Sequence, residues 1–458
     1  AIKLVGKDIY EILVKGYRGI TFTDASGVEH NPTIHLIGPR VDDNDRLAVS
    51  QLTIRSREVE RRFDVVLYLN GLPVVFVELK RAAAQAAGLA SAHAQLNTYL
   101  REFPMAFRFC VLTIISDGIT ARYGTPFTPL NHYAPWNVDD DGRRASLTSD
   151  PDNLNLGVEL EYLIDGVCNP ERFLQLQRNF VAFDAGGDGF VKRIAKPHQY
   201  FAVTKAVGAT VTAAETNGKA GVVWHTQGSG KSMEMELYAH LVAQQPKLKN
   251  PTLVVVTDRN ELDTQLFESF NRSRLLAESP VRVTQRAHLR AELTDRQTGG
   301  IYFTTLQKFG LTDDERKAGL DHPLLSDRRN IIVMSDEAHR SQYGEEHWDA
   351  QSQRMKKGFS QKMREALPGA SFIGFTGTPI SDRDRDTEEV FGNYIDVYDM
   401  SQAVDDGATR PVYYESRVVN LNLDEDTMKL LNDEFDNLAD EGATEEQIRQ
   451  AKQEHSRL

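Results

Sequence analysis

Apolar residues fall in short runs along most of this chain. The runs at 63–69 (FDVVLYL) and 74–80 (VVFVELK) flank Asn70-Gly71. That dipeptide favours a tight turn, so the segment reads as a hairpin of two strands. An Ala-rich helix is predicted over 82–99, and another strand over 107–115 (FRFCVLTII). A polar loop follows at 139–152, and 170–183 has helical spacing that suits a bridge between two domains. Beyond it strands and helices alternate, with strands predicted at 221–225, 252–257, 300–304, 331–335 and 371–375. Such alternation implies a parallel sheet covered on both faces. No internal repeat is present. The fold class is therefore α/β, with an α/β domain over 1–166, a helical linker over 167–195, a parallel-sheet domain over 196–410 and an acidic, helix-prone stretch over 411–458. In that last stretch Leu430, Leu431, Phe435 and Leu438 could dock on a further element.

Composition narrows the class. Hydrophobic residues make up 40% and charged residues 26%, as in ordinary soluble globular proteins. No apolar run approaches the roughly 18 residues that a membrane-spanning helix needs. The first residues lack the pattern of a secretory signal, and the missing initiator Met suggests a start inside a longer product or after processing. The two cysteines, Cys110 and Cys168, form no disulfide framework, which favours a reduced cytosolic setting. Of the net charge of −13, the segment from Glu415 to Leu458 supplies −7. The remainder is mildly acidic and still able to carry local basic grooves, so total charge leaves nucleic-acid binding open.

Two constellations carry chemistry. In Trp224-His225-Thr226-Gln227-Gly228-Ser229-Gly230-Lys231-Ser232 a predicted strand turns into a predicted helix. Gly228 and Gly230 let backbone N–H groups point at phosphate oxygens, with Ser229 between them, and the helix start adds its dipole. Lys231 would neutralise the β/γ-phosphates of ATP, and the Ser232 hydroxyl would bind Mg²⁺. The strict phosphate-loop pattern asks for Gly at 225, where this chain has His. Asp336-Glu337-Ala338-His339 directly follows the apolar strand at 331–335. Asp336 would hold Mg²⁺ through water, and Glu337 would orient or deprotonate an attacking water. The same acidic pair would also suit a solvated helix start. Neither His225 nor His339 has metal-ligand spacing around it.

The second constellation lies across the hairpin, where Asp64, Glu78 and Lys80 form D-x13-E-x-K. Two carboxylates suit Mg²⁺, which prefers oxygen ligands, and a bound ion can generate hydroxide for phosphodiester cleavage. Glu78 and Lys80 are two apart on a strand and share a face. An exposed Glu-x-Lys pair is ordinary surface, but this strand is apolar up to its charges, as a strand entering a cleft should be. A geometric condition follows. A strict two-residue turn at Asn70-Gly71 pairs Leu69 with Leu72 and sets Asp64 opposite Val77, on the wrong face. Catalysis therefore requires a longer loop or a bulge that brings Asp64 opposite Glu78.

GSGKS, DEAH and Thr376-Gly377-Thr378-Pro379 stand in the order seen in superfamily 2 helicases and translocases, which this part of the chain resembles. The resemblance implies that His339, Thr376 and Thr378 couple ATP to movement. It also implies that Arg259 (in TDR at 257–259) and Thr305 and Gln307 (in TTLQKF at 304–309) track the DNA backbone. Gln199, in KPHQY at 196–200, would read adenine. The DEK constellation resembles the PD-(D/E)xK nucleases, with Phe63 in place of the pattern's Pro. Gln95 and Tyr99 match a Q-x-x-x-Y element of nucleases attached to DNA motors, although i, i+4 pairs are also ordinary on helices. A nuclease placed before a DEAH motor resembles the R subunit of type I restriction enzymes. That family implies ATP-driven pulling of double-stranded DNA, Mg²⁺-dependent cutting, methyltransferase and specificity subunits as partners, and the cytoplasm of a bacterium or archaeon, with no membrane. The segment from 411 would begin a second motor lobe. That lobe's arginine finger is missing, so slow ATP hydrolysis is expected. Rival readings are a repair helicase-nuclease and an ATP-gated DNA-binding assembly module with inactive sites.

Overall fold

Helix α1 (Ile2–Lys15) leads into a long hairpin-rich region with strands β1 (Arg46–Arg55), β2 (Glu60–Leu69) and β3 (Leu72–Leu79). Helix α2 (Gly88–Glu102), β4 (Leu112–Ser116) and β5 (Ala121–Gly124) complete a five-stranded sheet in the order β1-β2-β3-β4-β5. All neighbours are antiparallel except β3 and β4, which α2 joins as a crossover. Strand β1 was not legible because most of its side chains are exposed and no apolar run marks it. The strand expected at 107–115 begins at Leu112, because turns occupy 104–109 and use Phe107 and Cys110 as core plugs. This computed structural model describes residues 2–410 apart from 57, 81–87, 146–158, 187–188, 258–259, 319, 321–322, 339–346, 350–353, 357–358 and 379–390. The chain divides into two units after Arg410, and the second, with its acidic stretch at 424–458, lies outside the described residues.

Helices α3 (Glu159–Val167) and α4 (Pro170–Asn179) follow. The α4 start is fixed by its sequence: Pro170 opens the first turn, and the Asn169 side chain accepts from the N–H groups of Glu171 and Arg172. The expected helical linker then departs from its pattern. After Asn179 the chain forms a hairpin, β6 (Val181–Gly186) with β7 (Gly189–Ile194). Phe180, Val181, Ala182 and Phe183 are all buried. Four consecutive buried side chains need cover on every side, which a strand held between two layers provides and an amphipathic helix does not.

The rest is the expected alternation. In chain order come α5 (Pro197–Glu215), β8 (Lys219–His225), α6 (Lys231–Ala243), β9 (Thr252–Thr257), α7 (Asn260–Arg272), β10 (Val281–Arg282) and α8 (Arg286–Asp295). Then come β11 (Ile301–Thr305), β12 (Ile331–Asp336), α9 (Phe359–Ala366), β13 (Ser371–Thr376), β14 (Tyr394–Tyr398) and α10 (Met400–Asp405). Seven strands form one parallel sheet in the order β10-β11-β9-β12-β13-β8-β14. All the expected strands are present, and the two edge strands β10 and β14 are additions. The sheet order sets the chemistry: β12, β13 and β8 are neighbours, so their C-terminal ends deliver 336–337, 376–378 and the glycine loop to one place.

The two sheets share a core. Val75, Val77 and Ile114 of the first belong to the same buried cluster as Trp136, Tyr200, Val223 and Phe303. Tyr123 donates to the carbonyl of Ala195 at 2.7 Å, and buried Lys192 of β7 donates to that of Cys110 at 2.7 Å. No helix among the described residues is long and apolar enough to cross a membrane.

Candidate functional sites

The hairpin meets the geometric condition set by its sequence. Asn70 and Gly71 both have positive φ, 51° and 78°, as the tight two-residue turn requires. Leu69 pairs with Leu72 and Tyr68 with Pro73, but Leu67 pairs with Val75. Val74 is thus an extra residue, a bulge. From there the register runs Val66 with Phe76 and Val65 with Val77, which sets Asp64 opposite Glu78. Asp64 Oδ2 accepts from the N–H of Leu79 at 2.8 Å, next to Glu78. Phe63, the departure from the nuclease pattern, is core: its ring lies 4.5 Å from that of Tyr99 and 5.4 Å from that of Phe76.

Glu78 is 1% exposed, so a carboxylate is held in an apolar layer. Lys80 Nζ donates to Glu78 Oε1 at 2.6 Å and also to Gln95 Oε1. The Gln95 amide donates to the Tyr99 hydroxyl, which donates to the Arg62 carbonyl at 3.2 Å. Gln95 and Tyr99, one turn apart on α2, therefore position Lys80 from the far side. Burial raises the Glu78 pKa above the ordinary carboxyl value, and the Asp64 charge adds to this, while Lys80 opposes both. Two carboxylates that repel each other, both oxygen donors, beside a single ammonium make a donor set suited to a hard divalent cation.

At the sheet's C-terminal edge the glycine loop leads into α6. Gly228 and Gly230 have φ of 87° and 99°, conformations that a side chain would strain. A Cβ on Gly230 would meet the Gln199 amide at 2.5 Å, and one on Gly377 would meet Lys231 Nζ at 2.5 Å. Ser229 Oγ is buried with no hydrogen-bond partner among the described residues, while Ser232 is exposed on the first turn of α6. A curled loop with an orphaned hydroxyl at a helix start suits a phosphate anion. Lys231 Nζ lies 3.3 Å from Glu337 Oε1. Glu337 itself has φ of 53°, an uncommon backbone for a residue with a side chain, and its N–H donates to Asp336 Oδ1 at 3.0 Å. Thr378 N–H donates to Thr376 Oγ1 at 3.3 Å, closing the turn after β13. Gln199 reaches the loop directly, donating to the carbonyls of Ser229 and Gly230 at 3.3 and 3.4 Å.

Thr305 ends β11 and Gln307 lies just past it, both half-buried, with β9 and β12 between β11 and β13 in the sheet. Arg259 and His339 lie outside the described residues.

One group of residues was not legible. His225, at the position where the loop pattern asks for Gly, is fully buried with Nδ1 2.9 Å from Glu234 Oε1 and Nε2 3.1 Å from Asp396 Oδ2. His198 Nε2 lies 3.1 Å from the Ser229 carbonyl. Spacing gave no sign of a ligand-like group, yet His198, His225 and Glu234 bring ligand atoms within 4.8 Å of one another. His198 entered the sequence reading only as a member of KPHQY, with no role of its own. Asp396 sits on β14, a strand that no sequence pattern marked.

Two family models match the chain. Residues 198–449 match the SWI2/SNF2 ATPase family, and residues 5–132 match the type I restriction enzyme R protein N terminus. The chain is 42% identical over 420 residues to the type I restriction enzyme HindI endonuclease subunit of Haemophilus influenzae, covering 90% of this chain and 39% of that one. It is 28% identical over 360 residues to the type I restriction enzyme SauMSSORF170P endonuclease subunit of Staphylococcus aureus, covering 76% and 34%. It thus spans well under half the length of these curated relatives. Among solved structures, the DNA-bound ATP-dependent Type ISP restriction-modification enzyme LlaBIII is similar at a TM-score of 0.31 and 18% identity, covering 44% of this chain and 15% of that one.

Proposed function

Because the chain belongs to the SWI2/SNF2 ATPase family, and its first part to the N-terminal region of type I restriction enzyme R proteins, we propose that it pulls duplex DNA by ATP hydrolysis and cuts it with Mg²⁺. In this reading it is the restriction subunit of a cytoplasmic type I complex, and methyltransferase and specificity subunits supply target recognition. The observation that carries the reading is the bulge at Val74, which sets Asp64 opposite Glu78 with Lys80 bonded to Glu78. A surface charge pair would need neither the bulge nor the burial.

In the nuclease site Asp64 and Glu78 would hold the metal ion. When bound, Mg²⁺ supplies a stronger nucleophile and charge compensation for the leaving oxygen. Lys80, held by Glu78 and Gln95, orients water or the scissile phosphate and offsets negative charge. Gln95 and Tyr99 fix Lys80 rather than touching DNA. In the motor site Gly228–Gly230 and Lys231 bind the phosphates, Ser232 and Asp336 would hold Mg²⁺, and Glu337 accepts the proton of the attacking water. Gln199 orients the loop from its carbonyl side and reads adenine. Thr376 and Thr378, next to Lys231 through Gly377, couple phosphate release to movement, as does His339. Arg259, Thr305 and Gln307 track the DNA backbone along the same edge.

The test is cleavage of unmethylated circular DNA with ATP and Mg²⁺ by the full-length subunit assembled with its partners. Lys80→Ala should stop cutting and leave ATP hydrolysis intact, and Lys231→Ala should stop both. Continued cutting by Lys80→Ala would refute the nuclease assignment.

A further inference from the structure

We propose that His225 is a positioning residue for the phosphate loop, bridging Glu234 on α6 and Asp396 on β14 so that the loop is fixed between the helix it enters and the edge strand. This rests on the reading of the loop as a nucleotide site.

The geometry carries it. His225 is the last residue of β8, directly before the loop. Each of its ring nitrogens faces a carboxylate oxygen, at 2.9 and 3.1 Å. A carboxylate only accepts, so both contacts are hydrogen bonds only when both ring nitrogens carry protons, that is, in the imidazolium. One cation then serves two anions with no exposed side-chain surface of its own. Lys205 completes the balance by donating to Asp396 at 2.6 Å.

Among the described residues strand β14 has a neighbour on one side alone, β8. Its register with β8 shifts between Val222 and Val223. Besides that pairing and the Lys205 contact, several ties reach the loop. Thr226 N–H donates to the Tyr398 carbonyl at 2.9 Å, and the Tyr398 ring stacks on His198 at 3.9 Å. His198 in turn faces the Ser229 carbonyl. The His225 bridge is the charged member of this set, and it locks the start of α6 to the same strand.

Several titratable groups surround the bridge: Glu234 and Lys231 on α6, Lys196, His198 and Lys205 on or beside α5, Asp396 and Tyr398 on β14, and Asp406 beyond it. Burial opposes charge on His225, but the Glu234 charge and the bonds to Asp396 and Glu234 outweigh it and lift its pKa to about 9. Burial likewise opposes charge on Glu234 and Asp396, yet His225 holds both pKa values below the usual carboxyl range. Burial holds His198 down at about 3, so it stays neutral as its neighbour carries the proton. The bridge is therefore intact at neutral pH and is lost as pH rises through about 9.

The experiment is binding of N-methylanthraniloyl-ADP with Mg²⁺ to the full chain from pH 6.5 to 9.5, with melting temperatures recorded alongside. Wild type should bind with constant affinity up to about pH 8 and weaken above it. His225→Gln should raise Kd roughly tenfold at pH 7 and remove the alkaline fall. Asp396→Asn should shift Kd in the same direction by less, and it carries the test if His225→Gln does not fold. A lowered melting temperature with wild-type Kd and pH profile would overturn the proposal. So would one equivalent of a transition metal in the purified protein that His225→Gln loses. Failure of wild type to bind at all, with Lys231→Ala no different, would overturn the nucleotide reading and this inference with it.

Discussion

Asp64 stands opposite Glu78 because β3 carries one more residue than β2 needs, and that residue is Val74. Removing it would restore the simple register and slide Asp64 to Val77, away from Glu78. Deletion of Val74 is therefore expected to lower DNA cutting by roughly 10²-fold or more, the scale of a misplaced catalytic group. ATP hydrolysis should fall far less, because the motor sheet also packs a separate cluster that includes Val254, Tyr302 and Phe372. Plasmid nicking and phosphate release, measured on one preparation, decide it. Unaltered cutting would show that the bulge does not set the site.

The raised pKa of Glu78 gives a second expectation. Its folded state holds a proton more tightly than the unfolded chain does, so its contribution to stability is present at acid pH and is lost as pH rises through the folded value. Metal binding has the opposite sense, because the ionised form is the ligand. Mn²⁺ affinity and cutting should thus rise with pH through the Glu78 pKa and level off above it. Glu78→Gln should abolish cutting yet melt no lower than wild type at pH 8, where the buried charge costs stability. A large drop in melting temperature for Glu78→Gln would mean that the carboxylate is structural.

Much of this was legible, and the limits have physical causes. The inner strands of the motor sheet are buried on both faces, so each is a largely apolar run that a sequence displays directly. Strand β1 and the edge strands β10 and β14 lack that signature because most of their side chains are exposed or half-buried. The bulge could be required from the sequence but not seen in it, since Val74 is simply one more apolar residue in a run. The hairpin at Val181–Ile194 was hidden for the opposite reason: Phe180–Phe183 continues the apolar count of the preceding helix. His225 read as a defect in the glycine pattern, because its partners Glu234 and Asp396 lie 9 and 171 residues away in sequence.

Lys231 rests on Glu337 at 3.3 Å, so binding phosphate must draw the ammonium from the carboxylate. Glu337→Gln weakens that hold while removing the base. Nucleotide affinity should be equal to wild type or a few-fold tighter, and turnover should fall by roughly 10²–10⁴-fold, the usual weight of a general base. Equilibrium binding and single-turnover hydrolysis separate the two. Tenfold weaker binding would instead mean that the Glu337 carboxylate holds a cation, Lys231 or a bound metal ion, in place for the phosphates.

Tyr99 tests whether Lys80 is positioned or merely present. Its hydroxyl accepts from Gln95 and donates to the Arg62 carbonyl, so it anchors the amide that holds Lys80. Tyr99→Phe keeps the ring packed against Phe63 and deletes only the anchor. Two hydrogen bonds of about 1 kcal/mol each are at stake, and Arg62 and Gln95 can recover part of that from water. Melting should fall by a few degrees at most, since the loss is small against a domain of this size. Cutting should fall about tenfold, with the deficit in kcat rather than in DNA affinity, because Lys80 keeps its charge and loses its direction. Gln95→Ala should match it, and the double variant should be no worse than either single one, as members of one chain of bonds behave. Additive losses in the double variant would instead mean that each residue meets DNA on its own.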